Sequence, residues 1–423
     1  VSILITGGTV IDTEPEPHVM PGTDVLVRDG LIAAVAPGID APGAEVLDAS
    51  GMIVMPGLVD THRHVWQSVL RSLAADATLN DYLGLVLGRL APAYRAEDVY
   101  AGNLWGALEA LDGGITTVHD WSHIQLTPEH TDAAVQALRE SGIRAVFAYG
   151  APGTDADARR DDEVRRVASL LGRDGLVTPG LASLGPVYGT EAGAAADWRL
   201  ARELDLPVSL HATGEGAVEW LHGAGLLGPD VMFVHGNGFT DQAVTFIADS
   251  GGTASVTPVV EMQMGFGAPE TGRFRTAGIP TGLGVDTVPN APGDLFSAMR
   301  AAFAAERMGG GVLTCSDVLR MATLEGAAVL GLQDRVGSLR PGKQADVVLL
   351  NAGALNLAPV HDPIGAVVTA AGPANVDTVL VAGEIVKRGG RLLRADMARA
   401  LTLASRSAAR VAAAAGVGAA GAR

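Results

Sequence analysis

Apolar or β-branched runs alternate with helical stretches through the middle of the chain, and that alternation leaves few folds open. The runs are Leu58-Val59-Asp60, Thr116-Thr117-Val118, 143–148, 181–184, Val208-Ser209-Leu210, 231–234, Ala254-Ser255-Val256 and 282–285. Helical patterns such as 97–111, 131–140 and 242–248 separate them. Eight strand–helix units across residues 56–334 predict an α/β chain with a (β/α)8 TIM barrel. In such a barrel the reactive groups stand at the C-terminal ends of the strands.

The two ends of the chain read differently. Residues 1–55 hold short β-type runs, Ile3-Leu4-Ile5, 24–30 and 31–35, with Asp29-Gly30 as a hairpin turn. Residues 335–390 repeat the style, with 345–350 and 376–381 turning at Ala382-Gly383-Glu384 into Ile385-Val386. Neither end has enough strands for a core of its own. Together they predict one small composite β-sandwich, to which residues 1–55 and residues 335–390 each contribute a portion. Residues 391–423 are expected to form a C-terminal helix and a frayed tail from Val411 onward. Arg391, Arg394, Arg399, Arg406 and Arg410 face a single acid there, Asp396, which fits docking on the chain's own acidic body or on a neighbouring subunit of a homo-oligomer, with a solvated arginine face as the more common outcome of such a run.

A formal charge of −17 argues against nucleic acid, whose phosphates need clustered Lys and Arg. Cys315 is the only cysteine, so no intrachain disulfide and no thiolate metal cluster is possible. Residues 1–10 lack a basic region before their apolar run, and no apolar stretch reaches the ~18 residues of a membrane-spanning helix. A cytoplasmic protein with a small-molecule substrate is the expectation, without a membrane or nucleic-acid partner.

The chemistry falls on the strand ends. Met55-Pro56-Gly57-Leu58-Val59-Asp60-Thr61 runs into His62-Arg63-His64, and side chains at i and i+2 on a strand share a face. His211 follows the fifth run, His235 the sixth, and Asp286 the eighth. Imidazole and carboxylate suit a zinc or iron(II) ion that keeps one position open for water. His62, His64, His211 and Asp286 would make a three-His, one-Asp site for one divalent metal, with zinc expected and iron(II) the alternative.

With these landmarks, and with the late segment Gly337-Ser338-Leu339-Arg340-Pro341-Gly342-Lys343-Gln344-Ala345-Asp346, the chain resembles the amidohydrolase superfamily over nearly its whole length. Within it the likeness is to the branch of cytosine/adenosine-type deaminases and triazine hydrolases. The resemblance implies a composite β-sandwich around a barrel, one metal on the residues matching His62, His64, His211 and Asp286, and His235 as the group that polarises the substrate. Several branches carry a second metal on a carboxylated lysine of the fourth strand. Here the only lysines are Lys343 and Lys387, both outside the barrel, which favours a mononuclear site.

That branch also places a glutamate three residues after the fifth-strand histidine to shuttle protons. Here the segment is His211-Ala212-Thr213-Gly214-Glu215, with the acid one residue late. A one-residue shift turns a side chain to the other face unless the backbone bulges, and Gly214 permits a bulge. Glu261, in an apolar Met- and Gly-rich stretch after the seventh run, competes for the role, or else pairs with Arg63. Gln67, His119, Trp121, His123 and Arg63 are candidate substrate contacts, with a structural salt bridge as the alternative for Arg63. The chemistry predicted is metal-dependent hydrolysis of a C–N bond in a cyclic nitrogen-containing molecule, ring deamination first, with Asp286 accepting the proton of the attacking water. A lyase or decarboxylase, or an amide or N-acyl hydrolase, is the alternative on the same scaffold.

Overall fold

A computed structural model describes residues 2–151 and 160–417. Eight parallel strands pair in sequence order: Leu58–Arg63, Ile115–Ser122, Arg144–Gly150, Val177–Ser183, Val208–Ala212, Val231–His235, Thr253–Val256 and Thr281–Leu283. A parallel bridge between Arg63 and Asp286 links the first strand to the segment after the eighth and closes the ring. The strands are buried because helices cover the outside, as the run of buried Val231, Met232, Phe233 and Val234 illustrates. This is the (β/α)8 barrel that the alternation predicted.

Both chain ends enter one nine-stranded sheet. Its seam is the antiparallel pairing of Met52–Pro56 with Val347–Asn351, in which Val54 stands opposite Leu349. Ile3, Val25, Val54, Leu339, Val347 and Leu380 share a hydrophobic cluster, so residues from both ends bury one core. Gly57 separates that sheet from the first barrel strand. A Cβ there would lie 2.1 Å from Thr116 Oγ1, so only glycine lets the chain pass.

The C-terminal helix Met397–Ala414 lies on the chain's own helix Ala96–Asp112. Arg410 pairs with Asp98, and Arg399 Nη1 reaches Glu140 Oε1 at 2.7 Å. Fraying from Val411 is overturned: Ala400, Ala404, Ser407 and Val411 recur at helical spacing on the buried face, and Val411 is sealed in the main core. The rest of the expected tail, 418–423, lies outside the described residues. No helix among the described residues is long and apolar enough to cross a membrane.

Candidate active site

Four strand ends converge at the C-terminal mouth of the barrel. His211 Nε2 lies 3.2 Å from His62 Nε2, and Asp286 Oδ1 lies 3.4 Å from Nε2 of both His62 and His64. Ligand atoms of His62, His64 and His211 lie within 4.8 Å of one another, as do those of His62, His235 and Asp286. Burial holds His62, His64 and His211 well below the ordinary imidazole pKa, and the crowding of neighbouring histidines adds to it. They are therefore neutral, with lone pairs to share. His64 shows which nitrogen is free, because its Nδ1 donates to the Trp121 carbonyl at 2.8 Å and leaves Nε2 facing the cluster. Three neutral imidazoles and one carboxylate in this arrangement fit a divalent ion.

The backbone beneath is held by buried acids. Asp60 Oδ1 accepts from the amides of His62, at 3.3 Å, and Val285, at 3.1 Å, tying the first strand to the eighth. Burial pushes Asp60 up to about 7 against the opposing pull of Arg63. Asp120, also raised to about 7 by burial, accepts from Val65 N–H and from Asn103 Nδ2. Asp286 N–H donates to the His62 carbonyl at 2.8 Å, and His64 N–H to the Asp286 carbonyl at 2.9 Å. His235 and Asp286 both sit in left-handed backbone, at φ +76° and +66°, which non-glycine residues adopt at a cost.

His235 has its own partner. Glu261 is fully buried on the short helix Pro258–Gln263 that follows the seventh strand, and its Oε1 lies 3.3 Å from His235 Nδ1. The same oxygen accepts from Thr257 N–H at 2.6 Å, while Thr257 Oγ1 lies 3.1 Å from His235 Nδ1. An imidazole whose Nδ1 is committed to a carboxylate presents Nε2 forwards. His235 Nε2 lies 3.9 Å from Asp286 Oδ2.

Residues 53–386 match the Amidohydrolase family, most of the chain. The chain belongs to the amidohydrolase family. It is 32% identical over 415 residues to the 5-methylthioadenosine/S-adenosylhomocysteine deaminase of Symbiobacterium thermophilum, covering 91% of this chain and 93% of that one. It is 28% identical to the 5'-deoxyadenosine deaminase of Methanobrevibacter smithii, covering 88% and 90%. An adenosine deaminase from Xanthomonas campestris with bound zinc superposes with a TM-score of 0.88 at 26% identity, covering 97% and 98%. Atrazine chlorohydrolase from Arthrobacter aurescens, complexed with zinc, shares the fold with a TM-score of 0.87 at 24% identity, over 96% of this chain and 100% of that one.

The remaining predicted residues of this amidohydrolase divide sharply. His64, Trp121, His123, His211, His235 and Asp286 line one chamber above the cluster. Trp121 sets its edge against the His211 ring, centroids 4.2 Å apart, and burial lowers His123 to about 4. His119 does not reach this mouth. Its strand continues to Ser122, so at ~3.3 Å per residue His119 lies a layer deeper, lining a separate cavity beside Val208, Val231 and Thr253.

Arg63 is not a substrate contact either. The pleat turns it away from its histidine neighbours to Glu109 Oε2 at 2.6 Å and the Gly293 carbonyl at 3.1 Å; Glu261 pairs with His235 instead. Gln67 is buried, and its amide is used at both ends: Nε2 donates to Tyr82 Oη at 2.6 Å and Oε1 accepts from Thr287 Oγ1 at 2.5 Å. It therefore acts by holding Tyr82 and Thr287, which do line the chamber. Gly214 takes a left-handed φ of +67°, yet Glu215 is exposed and lines no part of the chamber. Asp60, Asp120, Thr257, Tyr82 and Thr287 do not stand out as site residues in the sequence. Among them only Asp60, two residues before the first histidine, occupies a position that could have given it away.

Proposed function

We propose that this amidohydrolase hydrolyses a C–N bond in a cyclic nitrogen-containing small molecule, releasing ammonia from a ring amine. The observation that carries the reading is the convergence of His62, His64 and His211 Nε2 with Asp286 Oδ1, beside a histidine held by its own carboxylate. His62, His64, His211 and Asp286 would hold one divalent ion, and we assign zinc, the metal named with the adenosine deaminase of similar fold. Such an ion supplies a Lewis acid that makes water acidic enough to attack near neutral pH.

The chain's own groups do the rest. Asp286 Oδ2, the oxygen turned towards His235, takes the proton of the attacking water. His235 presents Nε2 to the electrophilic carbon while Glu261 fixes Nδ1 from behind. Trp121 and Phe266 flank the ring in the chamber. The proton held on Asp286 goes on to the leaving nitrogen, so water and the ring amine become the ring hydroxyl or its keto tautomer and ammonia.

The absence of a strand-five carboxylate at the chamber supports a second reading, a lyase or decarboxylase, which needs no acid at a leaving nitrogen. The deciding experiment is a screen of purines, pyrimidines, pterins and triazines for ammonia, with metal content measured in the same preparation. Ammonia from a ring amine with about one metal per chain is expected. Carbon dioxide without ammonia would replace deamination by the second reading.

A further inference from the structure

Two histidines of the metal cluster are supported unequally from behind. His64 Nδ1 donates to the Trp121 carbonyl at 2.8 Å, but His62 Nδ1 is buried and has no hydrogen-bond partner among the described residues. His62 turns Nε2 towards His211 and Asp286, so a neutral ring that lends this nitrogen's lone pair to a metal carries its hydrogen on Nδ1. A buried N–H without an acceptor is costly, and ligating histidines almost always donate that hydrogen to a second group. The next ring holds a second orphan. His119 Nδ1 is also buried and unpartnered among the described residues, and the His119 ring lies 6.4 Å from the His62 ring, centre to centre, at an interplanar angle of 29°.

An irregularity in the strand pairing brings these two rings together. The first and second barrel strands pair Asp60 with Val118 and Arg63 with Asp120, so Thr61 and His62 stand against His119 alone. An extra residue on one strand re-aims the side chain that it carries. The rings make no direct bond, and the gap suits a single bridging water, since two bonds of ~2.9 Å meeting at a water's angle span ~4.7 Å. Burial keeps His119 neutral, so its ring has a lone pair to offer. Room for water adjoins it. His119 lines the lower cavity, which holds about 100 Å³. One water needs only ~10–15 Å³. Ser209 Oγ reaches the Leu181 carbonyl, and Thr253 Oγ1 the Val329 carbonyl, only at 3.5 Å, so both hydroxyls on the cavity wall keep bonding capacity.

We propose that His119 is a positioning residue of the metal centre, acting through one buried water that accepts from His62 Nδ1–H and donates to His119 Nδ1. The bridge fixes the tautomer of His62 with Nε2 facing the ion, and the lower cavity supplies the water. The inference rests on the reading that His62 holds a metal, and it concerns the support of that ligand rather than the substrate. The carbonyl behind His64 belongs to the backbone, whereas the support of His62 comes from a side chain and can be removed by one substitution.

The test is zinc affinity, measured on the full chain by competition with a chelator, and it needs no substrate. His119→Leu removes the acceptor at similar volume, while His119→Asn keeps one at the position of Nδ1. The expected result is a zinc dissociation constant raised ~10–100-fold in His119→Leu, with His119→Asn within ~3-fold of the parent. Parental affinity in His119→Leu overturns the proposal. An equal loss in the two variants overturns it too, because that loss would belong to packing and not to the acceptor. A high-resolution crystal structure of the zinc-loaded parent tests the same point without a substitution. A water within hydrogen-bond distance of both His62 Nδ1 and His119 Nδ1 is expected there, and its absence overturns the proposal even if neither variant folds. A parent that takes up no zinc removes the metal reading and this proposal with it, whereas a zinc-loaded parent with an unaffected His119→Leu removes this proposal alone.

Discussion

At the floor of the chamber His64 and His235 are held from behind by hydrogen bonds, whereas the leucines of its wall are held by apolar packing alone. His64 is fixed by the Trp121 carbonyl, His235 by Glu261, and the backbone between them by Asp60 and Asp120. Leu79, Leu83 and Leu87 stand half-exposed on a helical segment that buries little besides Tyr82, Val86 and Leu90. Floor geometry is thus fixed by buried polar bonds, each of which is destabilising to break. The wall is set by side-chain volume alone and can change without disturbing the floor.

The largest expected effects break the floor. His211→Ala should lose most bound metal by elemental analysis and all measurable activity. Asp286→Asn should keep the fold and part of the metal but lose about 10⁴-fold in kcat, the upper end for a positioned acid–base group. Activity within tenfold of the parent would reduce Asp286 to a structural ligand.

A step back from the metal, Glu261→Gln should lower kcat by ~10–100-fold with metal content and KM little changed, since it removes a partner of His235 and no contact to substrate. Leu87→Ala is the counterpart on the wall, expected to raise KM for the ring substrate while kcat and metal hold. If Leu87→Ala shed metal, the separation of floor from wall would fail.

Smaller in size is the acid limb of stability. Burial keeps His119 at about 3 and His123 at about 4, against 6.5 in the unfolded chain. Below 6.5 the unfolded state binds the extra protons, so stability falls as pH drops, by about 1 kcal/mol per histidine at one unit below. Asp60 and Asp120, raised to about 7 by burial, act oppositely, adding stability as pH falls from 7 towards 4. Thermal melts of metal-free protein at pH 7 and 5.5 should therefore show a shallower loss for His123→Phe than for the parent. Parallel slopes would show that His123 is not held neutral. Smallest of all, exposed Glu215→Gln should leave kcat within about twofold, while a 10²-fold loss would return it to the role of proton carrier.

The barrel was legible because burial on both faces of each strand writes itself as apolar runs, and the His62/His64 pair because a strand repeats every two residues. The partners of those residues were not. Glu261 read as a proton carrier or a partner of Arg63 past the seventh strand, but a helix beginning at Pro258 folds the acid back onto His235. Gln67 read as a substrate contact, yet the tight turn of Val65–Leu70 buries it and commits its amide to Tyr82 and Thr287. His119 depended on depth within the barrel, which periodicity leaves open to a layer, while the structural salt bridge read as the alternative for Arg63 is present, with Glu109 as its partner. The leucine stripe looks in sequence like any core helix. Only the chamber beside it shows that one of its faces lines a concave site.

The left-handed backbone of His235 and Asp286 makes the enzyme's reactive corners its thermodynamic weak points. An ordinary side chain there gives up on the order of 1–2 kcal/mol that glycine would not. A lineage released from its chemistry and selected only to stay folded would therefore shed these two side chains early.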